Sequence, residues 1–290
     1  MKNLDLSTLP AKKRKQIVSC LRAGIQLLYF LFLPSVFTAA FNGVKYIFTQ
    51  IGQGEKIEMT AFVSALLLVC AFTIVFGRFF CGFACAFGSL GDAMHAIYGI
   101  ICKKRKKKPI RIKPELAKKL ALVKYGILLL IALCCFAGVY QKARGTSPWD
   151  VFSMLHAGNF RLSSYIPGIV LLVLILVGMF FEERFFCHFL CPMGAVFSLL
   201  PILPFFTLHR KRENCIRGCS ACTRQCPSAV ELPSNGSVEI SGDCFQCQKC
   251  IDTCPKGNIR CGVKELYGNE ILFTLFRAVF LLTLLLWAGI

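Results

Sequence analysis

Apolar residues run in long blocks separated by short polar or basic stretches, a pattern on the scale of bilayer spans rather than of amphipathic soluble helices. Four blocks, roughly 60–80, 121–140, 166–186 and 270–290, are each about 20 residues of nearly unbroken hydrophobicity, enough to cross a hydrocarbon core as a helix. A fifth, roughly 23–42, contains Pro34 and is expected to span with a kink there, which membrane helices tolerate. Residues 207–265 break the pattern, being polar by comparison and rich in cysteine. The expected fold is an α-helical polytopic membrane protein of about five spans, with a small α+β domain inserted before the last helix. The expected division is a membrane domain over 1–206, the cysteine-rich domain over 207–265 and a C-terminal transmembrane helix over 266–290.

Composition agrees: the chain is 56% hydrophobic with a mean hydropathy of +0.61, too apolar for an ordinary soluble domain. The net charge of +19 changes the picture only through its distribution. Of the 34 Lys and Arg residues, 28 fall in the N-terminal arm, at Arg78, in 102–124 and in 182–269, while loops 42–59 and 141–165 hold five. That is the positive-inside pattern. It places the N-terminus and the cysteine-rich domain on the cytoplasmic face of a multi-pass cell-membrane protein, with the C-terminus outside. The run from Lys103 to Lys108 then anchors topology and touches anionic lipid. No groove-reading or aromatic-interleaved motif accompanies the charge, so nucleic-acid binding is not expected. The first apolar stretch exceeds a signal-peptide core and reads as an uncleaved span.

The membrane part is duplicated. Arg78-Phe79-Phe80-Cys81-Gly82-Phe83-Ala84-Cys85 recurs 106 residues later as Arg184-Phe185-Phe186-Cys187-His188-Phe189-Leu190-Cys191, and Gly88 matches Gly194. Each copy ends a helix pair, and repeats of like topology place sites at their interface. Cysteines four apart on a helix share a face. Cys81, Cys85, Cys187 and Cys191 could therefore present four thiolates to one centre, either a third iron–sulfur cluster or Cu(I). Arg78 and Arg184 read first as interfacial anchors and second as counter-charges to such a centre. Cys70, Cys134 and Cys135 read as small buried hydrophobes.

The polar domain carries two further runs, Cys215, Cys219, Cys222, Cys226-Pro227 and Cys244, Cys247, Cys250, Cys254-Pro255. Three closely spaced cysteines followed by Cys-Pro is the spacing that binds paired [4Fe-4S] clusters, with the fourth cysteine crossing to the other cluster. The expected sets are Cys215, Cys219, Cys222 and Cys254 for one cluster, and Cys244, Cys247, Cys250 and Cys226 for the other. A cytoplasmic setting argues against disulfides, and zinc fits the crossed spacing less well. Cys261 lies outside the pattern. Short strands such as Ser237 to Ile240 and short helices after each Cys-Pro are expected. Fewer than sixty residues bury little core, so the clusters are expected to hold this domain together.

The combination of GRFFCGFAC and ERFFCHFLCP at membrane helix ends with a downstream two-cluster module resembles the NosR/NapH-type polytopic iron–sulfur proteins. The resemblance implies electron transfer at the cytoplasmic membrane, as with a quinol dehydrogenase subunit, and partners that include a quinone or a flavin- or haem-bearing redox protein. Homo- or hetero-oligomers are compatible with it. Two departures are visible: Ala86 stands where the second copy has Pro192, and the sequence shows no flavinylation motif, C-x-x-C-H site or G-x-G-x-x-G loop. The leading expectation is an electron conduit between the cytoplasmic clusters, the four-cysteine centre and a quinone or outer partner. The alternatives are a copper-reducing assembly factor for a respiratory oxidase and a membrane redox-sensing regulator. Trp149 reads as an interfacial anchor and His188 as facing the aqueous boundary. Arg22, Lys124 and Arg277 are expected to snorkel from helix ends. No hydrolytic constellation is present.

Overall fold

The computed structural model describes residues 11–107, 109–140, 145–160, 163–203, 208–232, 235–238, 241–261 and 270–289. The membrane part contains α1 (Ala11–Phe32), α2 (Val36–Gln53), α3 (Ala61–Phe76), α4 (Ala86–Lys104), α5 (Pro114–Leu120), α6 (Val123–Phe136), α7 (Pro148–His156), α8 (Ile166–Phe181) and α9 (Pro192–Leu199). The cysteine-rich domain follows with β1 (Leu208–Lys211), α10 (Ala221–Gln225), β2 (Asn235–Val238), α11 (Lys249–Thr253) and β3 (Ile259–Cys261), and α12 (Glu270–Trp287) closes the chain.

Two helical segments, Glu115–Phe136 and Ser163–Phe181, are long and apolar enough to cross a membrane. The α1–α2 pair is a third candidate, broken by 61°. Pro34 therefore separates two helices rather than kinking one, because its ring removes a donor and its predecessor avoids the helical region. Ala61–Phe76 and Ile271–Trp287 are apolar but shorter. Leu129, Leu130 and Leu133 on α6 and Val170, Leu171 and Leu174 on α8 are all exposed, forming the apolar outer faces a lipid environment requires. Inside, Phe37, Phe41, Phe87, Phe152 and Phe186 cluster around Trp149. Trp149 is buried, 5.1 Å from the Phe41 ring centre, which corrects its reading as an interfacial anchor.

The duplication is structural. α3 and α8 each run into a five-residue π-helical turn, Phe80–Ala84 and Phe186–Leu190, and each turn leads into α4 or α9. The paired cysteines are thus not on a regular α-helix as the four-residue spacing predicted. Cys81 and Cys187 lie within the π turns, while Cys85 and Cys191 close them by donating to Phe80 O and Phe186 O, five residues back, at 2.9 Å in both copies. π turns are uncommon and concentrate at functional sites. Cys85 (φ −71°, ψ 120°) and Cys191 (φ −74°, ψ 114°) share one backbone conformation. Proline imposes that conformation on its predecessor in the second copy, and Cys85 reaches it before Ala86 without such help.

The cysteine-rich domain has a three-stranded antiparallel sheet in the order β2-β1-β3. β2 overlaps the expected strand at Ser237 and Val238, and residues 239–240 lie outside the described residues, as do both expected domain boundaries, 206/207 and 265/266. The short helices α10 and α11 precede each Cys-Pro instead of following it. The reason is again the proline: Cys226 (ψ 121°) and Cys254 (ψ 115°) are forced out of helical conformation and end their helices.

This domain is fastened to the membrane part by groups expected to reach for water. Arg22 pairs with Asp252 at 3.6 Å. Lys124, 1% exposed, donates to Asp243 Oδ1 at 2.5 Å and Ser198 Oγ at 3.0 Å. Arg277, fully buried, lies between the rings of Phe79 (4.7 Å) and Phe273 (4.8 Å) and beside Cys261. None of the three snorkels. Lys249 with Glu183 and Gln248 with Thr274 add polar contacts.

Candidate iron–sulfur centres

The four membrane cysteines meet at the repeat interface. Cys81, Cys85, Cys187 and Cys191 are all buried, at 3 to 6% exposure, and lie within electrostatic reach of one another. The two repeats hold each other by exchanging arginines. Arg184 of the second copy reaches into the first: Nε and Nη2 donate to both oxygens of Asp92 at 2.8 and 2.5 Å, and the remaining donors go to Gly82 O at 2.9 Å and to Cys81 O. Arg78 of the first copy reaches into the second, donating to Ser198 Oγ at 3.2 Å and to Gly242 O at 2.9 Å. Asp92 and Ser198 are themselves 106 residues apart, so the acceptors obey the same repeat as the cysteines. Where the second copy has serine, Asp243 of the cysteine-rich domain supplies the missing carboxylate, 3.7 Å from Arg78. Burial alone would raise the Asp243 carboxyl, but the hydrogen bond and charge of Lys124, with Arg78, hold it below the usual carboxylate range.

Glycine makes the exchange possible. A Cβ on Gly88 would come within 2.7 Å of Arg184 Nη1, and one on Gly194 within 2.9 Å of Arg78 Nη2. Arg78 and Arg184 are 1% and 2% exposed, so their reading as interfacial anchors fails. Arg78 faces Cys81 and Cys191, and Arg184 faces Cys187 and Cys247. Gly194 N also donates to Cys191 Sγ at 3.1 Å.

In the downstream domain, a cavity is lined by Cys222, Cys226, Cys244, Cys247 and Cys250. Four of these are the expected second set, and Cys222 belongs to the expected first. Burial pushes the Cys226 thiol up to about 11; holding the set deprotonated would take a cationic centre among them. The expected first set is joined by Asn258: its backbone N–H donates to Cys254 Sγ and its side-chain amide to Cys215 Sγ, both at 3.3 Å. The first cysteine of one run and the last of the other thus share one neighbour, as crossed ligation requires. Arg210 donates to Cys222 Sγ at 3.3 Å, and Cys219 is exposed. Hydrogen bonds to ligand sulfur tune cluster potentials.

Among the described residues, no three His, Cys, Asp or Glu side chains converge on one ion-sized position. His188 is buried, not at the aqueous boundary, and lines a polar cavity with Lys124, Tyr125 and Asp243. Cys261 is buried with its Sγ 3.8 Å from Gln246 Oε1.

Sequence reasoning missed Asp92 and Asn258, as well as Gln26, whose amide donates to Asp92 Oδ2 at 2.7 Å, and Phe245, whose ring lies 4.8 Å from the Arg78 guanidinium. Asp92 was detectable as an acidic residue seven positions past Cys85, inside the repeat. The others show no sequence signal, because each acts across a contact between distant segments.

The comparisons with known proteins fall on this geometry. A family model described as a 4Fe-4S binding domain matches residues 59–109 and 166–207, the two membrane repeats that carry the cysteine pairs. An uncharacterized protein of Methanocaldococcus jannaschii is 26% identical over 83% of this chain and 93% of its own length. The putative electron transport protein YccM of Escherichia coli is 25% identical over 66% of this chain and 54% of its own. The ferredoxin-type protein NapH of Haemophilus influenzae is 25% identical over 66% of this chain and 64% of its own. The chain thus spans less than two thirds of the latter two. No solved structure matches it. In its duplicated cysteine turns and in these relatives, the chain is similar to the NosR/NapH-type membrane iron–sulfur proteins.

Proposed function

We propose that this protein is a membrane electron conduit with three iron–sulfur centres. Cys215, Cys219, Cys222 and Cys254 would hold one [4Fe-4S] cluster, Cys244, Cys247, Cys250 and Cys226 the second, and Cys81, Cys85, Cys187 and Cys191 the third. When bound, such clusters supply one-electron transfer at potentials set by charge, burial and hydrogen bonds to sulfur. The observation that carries the reading is the gathering of four buried, mutually interacting cysteines at the repeat interface, one arginine away from Cys247. The chain's own groups exclude water from that interface with Phe80, Phe87 and Phe186 and offset thiolate charge with Arg78 and Arg184.

On this reading the chain crosses the membrane about five times, with α3 and α12 as the shorter spans and the cysteine-rich domain on the cytoplasmic side. A cavity of about 520 Å³ opens among Leu130, Leu174, Trp149, Phe185, Phe186 and Leu190. Its size and apolar lining suit a quinone ring, and Phe186 and Leu190 flank the cysteines of the second copy. The redox partner is then a quinone, or a flavin- or haem-bearing protein at the outer surface.

The test is iron and acid-labile sulfide per chain in anaerobically purified protein, with EPR of the reduced sample. About twelve of each supports three clusters, whereas about eight would leave only the two ferredoxin-type sites and sink the conduit. The copper-handling alternative predicts Cu(I) bound by these four cysteines in place of the extra iron and sulfide. A regulatory role has one specific support, in that the relative NosR of Pseudomonas aeruginosa is named a regulatory protein. It predicts that deleting 207–265 alters transcription while reductase activity is unchanged.

A further inference from the structure

The two membrane repeats are not equivalent toward the cysteine-rich domain, and the difference lies at one position. Gly82 in the first copy corresponds to His188 in the second. A Cβ on Gly82 would run into the carbonyl oxygen of Phe245, and the Cys247 backbone nitrogen is 3.6 Å from the same point. The segment Phe245–Gln248, which carries the cluster ligand Cys247, therefore lies directly on the first π turn. His188 instead lines the polar cavity beside Lys124. Phe245, 2% exposed, has its ring 4.8 Å from the Arg78 guanidinium and 5.8 Å from that of Arg184. It is the one side chain of the domain that contacts both exchanged arginines by cation–π stacking among the described residues.

The backbone of this segment is strained in a way its own repeat shows to be avoidable. Gln246 (φ 52°) and Gln248 (φ 61°) are both left-handed. At the offset of 28 residues that relates the two cysteine runs, Gln246 corresponds to Gly218, which takes the same conformation (φ 73°) without a Cβ. Strain of this kind persists where surrounding contacts over-determine it. Here Gln248 exchanges hydrogen bonds with Thr274 on α12 at 2.9 and 3.1 Å, and Gln246 packs over Gly77 at the end of α3.

We infer that Gly82 and Phe245 are positioning residues that seat the Cys247 cluster site against the first membrane repeat, fixing its separation from the Cys81/Cys85/Cys187/Cys191 centre and making the first repeat the port between them. The inference rests on the proposed function for its redox consequence but not for the contact itself. One electron moves per exchange, with one centre oxidised as the other is reduced and no bond made or broken.

Two measurements on the full-length protein test it. A benzophenone photo-crosslinker replacing Phe245 should join peptides within 78–88; cross-links confined to other segments, or none, would overturn the inference whatever the metal content. Gly82→Val and Phe245→Leu should each keep wild-type iron and sulfide, weaken the magnetic interaction between reduced centres in EPR, and slow their one-electron equilibration several-fold, since electron transfer weakens steeply as the separation between centres grows. Gly99→Ala, at a position with open space around it, should change none of these. Twelve iron with unchanged coupling and rate in both variants overturns the inference alone. Eight iron in the wild type with a strong cross-link defeats the conduit and the port together, leaving only a structural contact.

Discussion

The exchange of arginines between repeats yields a stability prediction that can be worked through. Asp92 is 14% exposed at its side chain and Arg184 1%, with a two-point contact at 2.8 and 2.5 Å. Removing one partner of a buried pair strands the other charge, at a cost of about 3–5 kcal/mol. Asp92→Leu should therefore destabilise by about 3–5 kcal/mol, with little added from Gln26, which keeps Gly82 O as a second acceptor at 3.2 Å. Arg184→Met should cost more, because it strands Asp92 and also removes the donor to Cys81 O, at about 1 kcal/mol or more, while Gly82 O keeps Gln26. The double variant Asp92→Leu/Arg184→Met strands no charge and loses only the arginine's carbonyl bonds, about 1–2 kcal/mol in total. It should accordingly be more stable than either single variant. The assay is the midpoint of SDS-induced unfolding in mixed micelles for all four corners of the cycle. A double variant as unstable as the sum of the singles would show the two side chains to be energetically independent, and the exchange would not be what holds the repeats together.

Replacing Cys81 and Cys187 with serine should lower iron by about four per chain while the ferredoxin-type signals persist in EPR; unchanged iron would deny these residues a cluster. Cys261→Ser should leave iron and sulfide unchanged, and a loss of about four iron would show it to be a ligand after all. Asn258→Ala removes the amide donor to Cys215, and a lost N–H···S bond destabilises the more negative reduced state, so potentiometric titration should find one ferredoxin-type cluster shifted to lower potential. Gly194→Val should destabilise by about 1–3 kcal/mol, through collision with Arg78 and the Cys187 carbonyl; a neutral result in the SDS titration would mean that Arg78 has room to withdraw.

The sequence by itself determined whatever is written in spacing and period. Blocks of about 20 apolar residues announce membrane helices because hydrocarbon thickness sets their length. The 106-residue duplication and the crossed Cys-Pro runs are legible because ligation demands sulfur at fixed intervals. Even the helix ends before Pro227 and Pro255 follow from a local clash, although the helices themselves were expected on the wrong side of those prolines. The tertiary structure alone decided where the charges go. Arg22, Arg78, Lys124, Arg184 and Arg277 all look like interfacial cations in a linear chain, since a basic residue at the end of an apolar block is ordinarily free to reach water. Folded, each is buried against a carboxylate, a carbonyl, an aromatic ring or a thiol brought from up to 230 residues away, as with Arg22 and Asp252. Burial of a cation depends on a partner that the local sequence does not contain, so the exchange of arginines and the seat of the cysteine-rich domain became visible only once the two repeats and the domain were packed together.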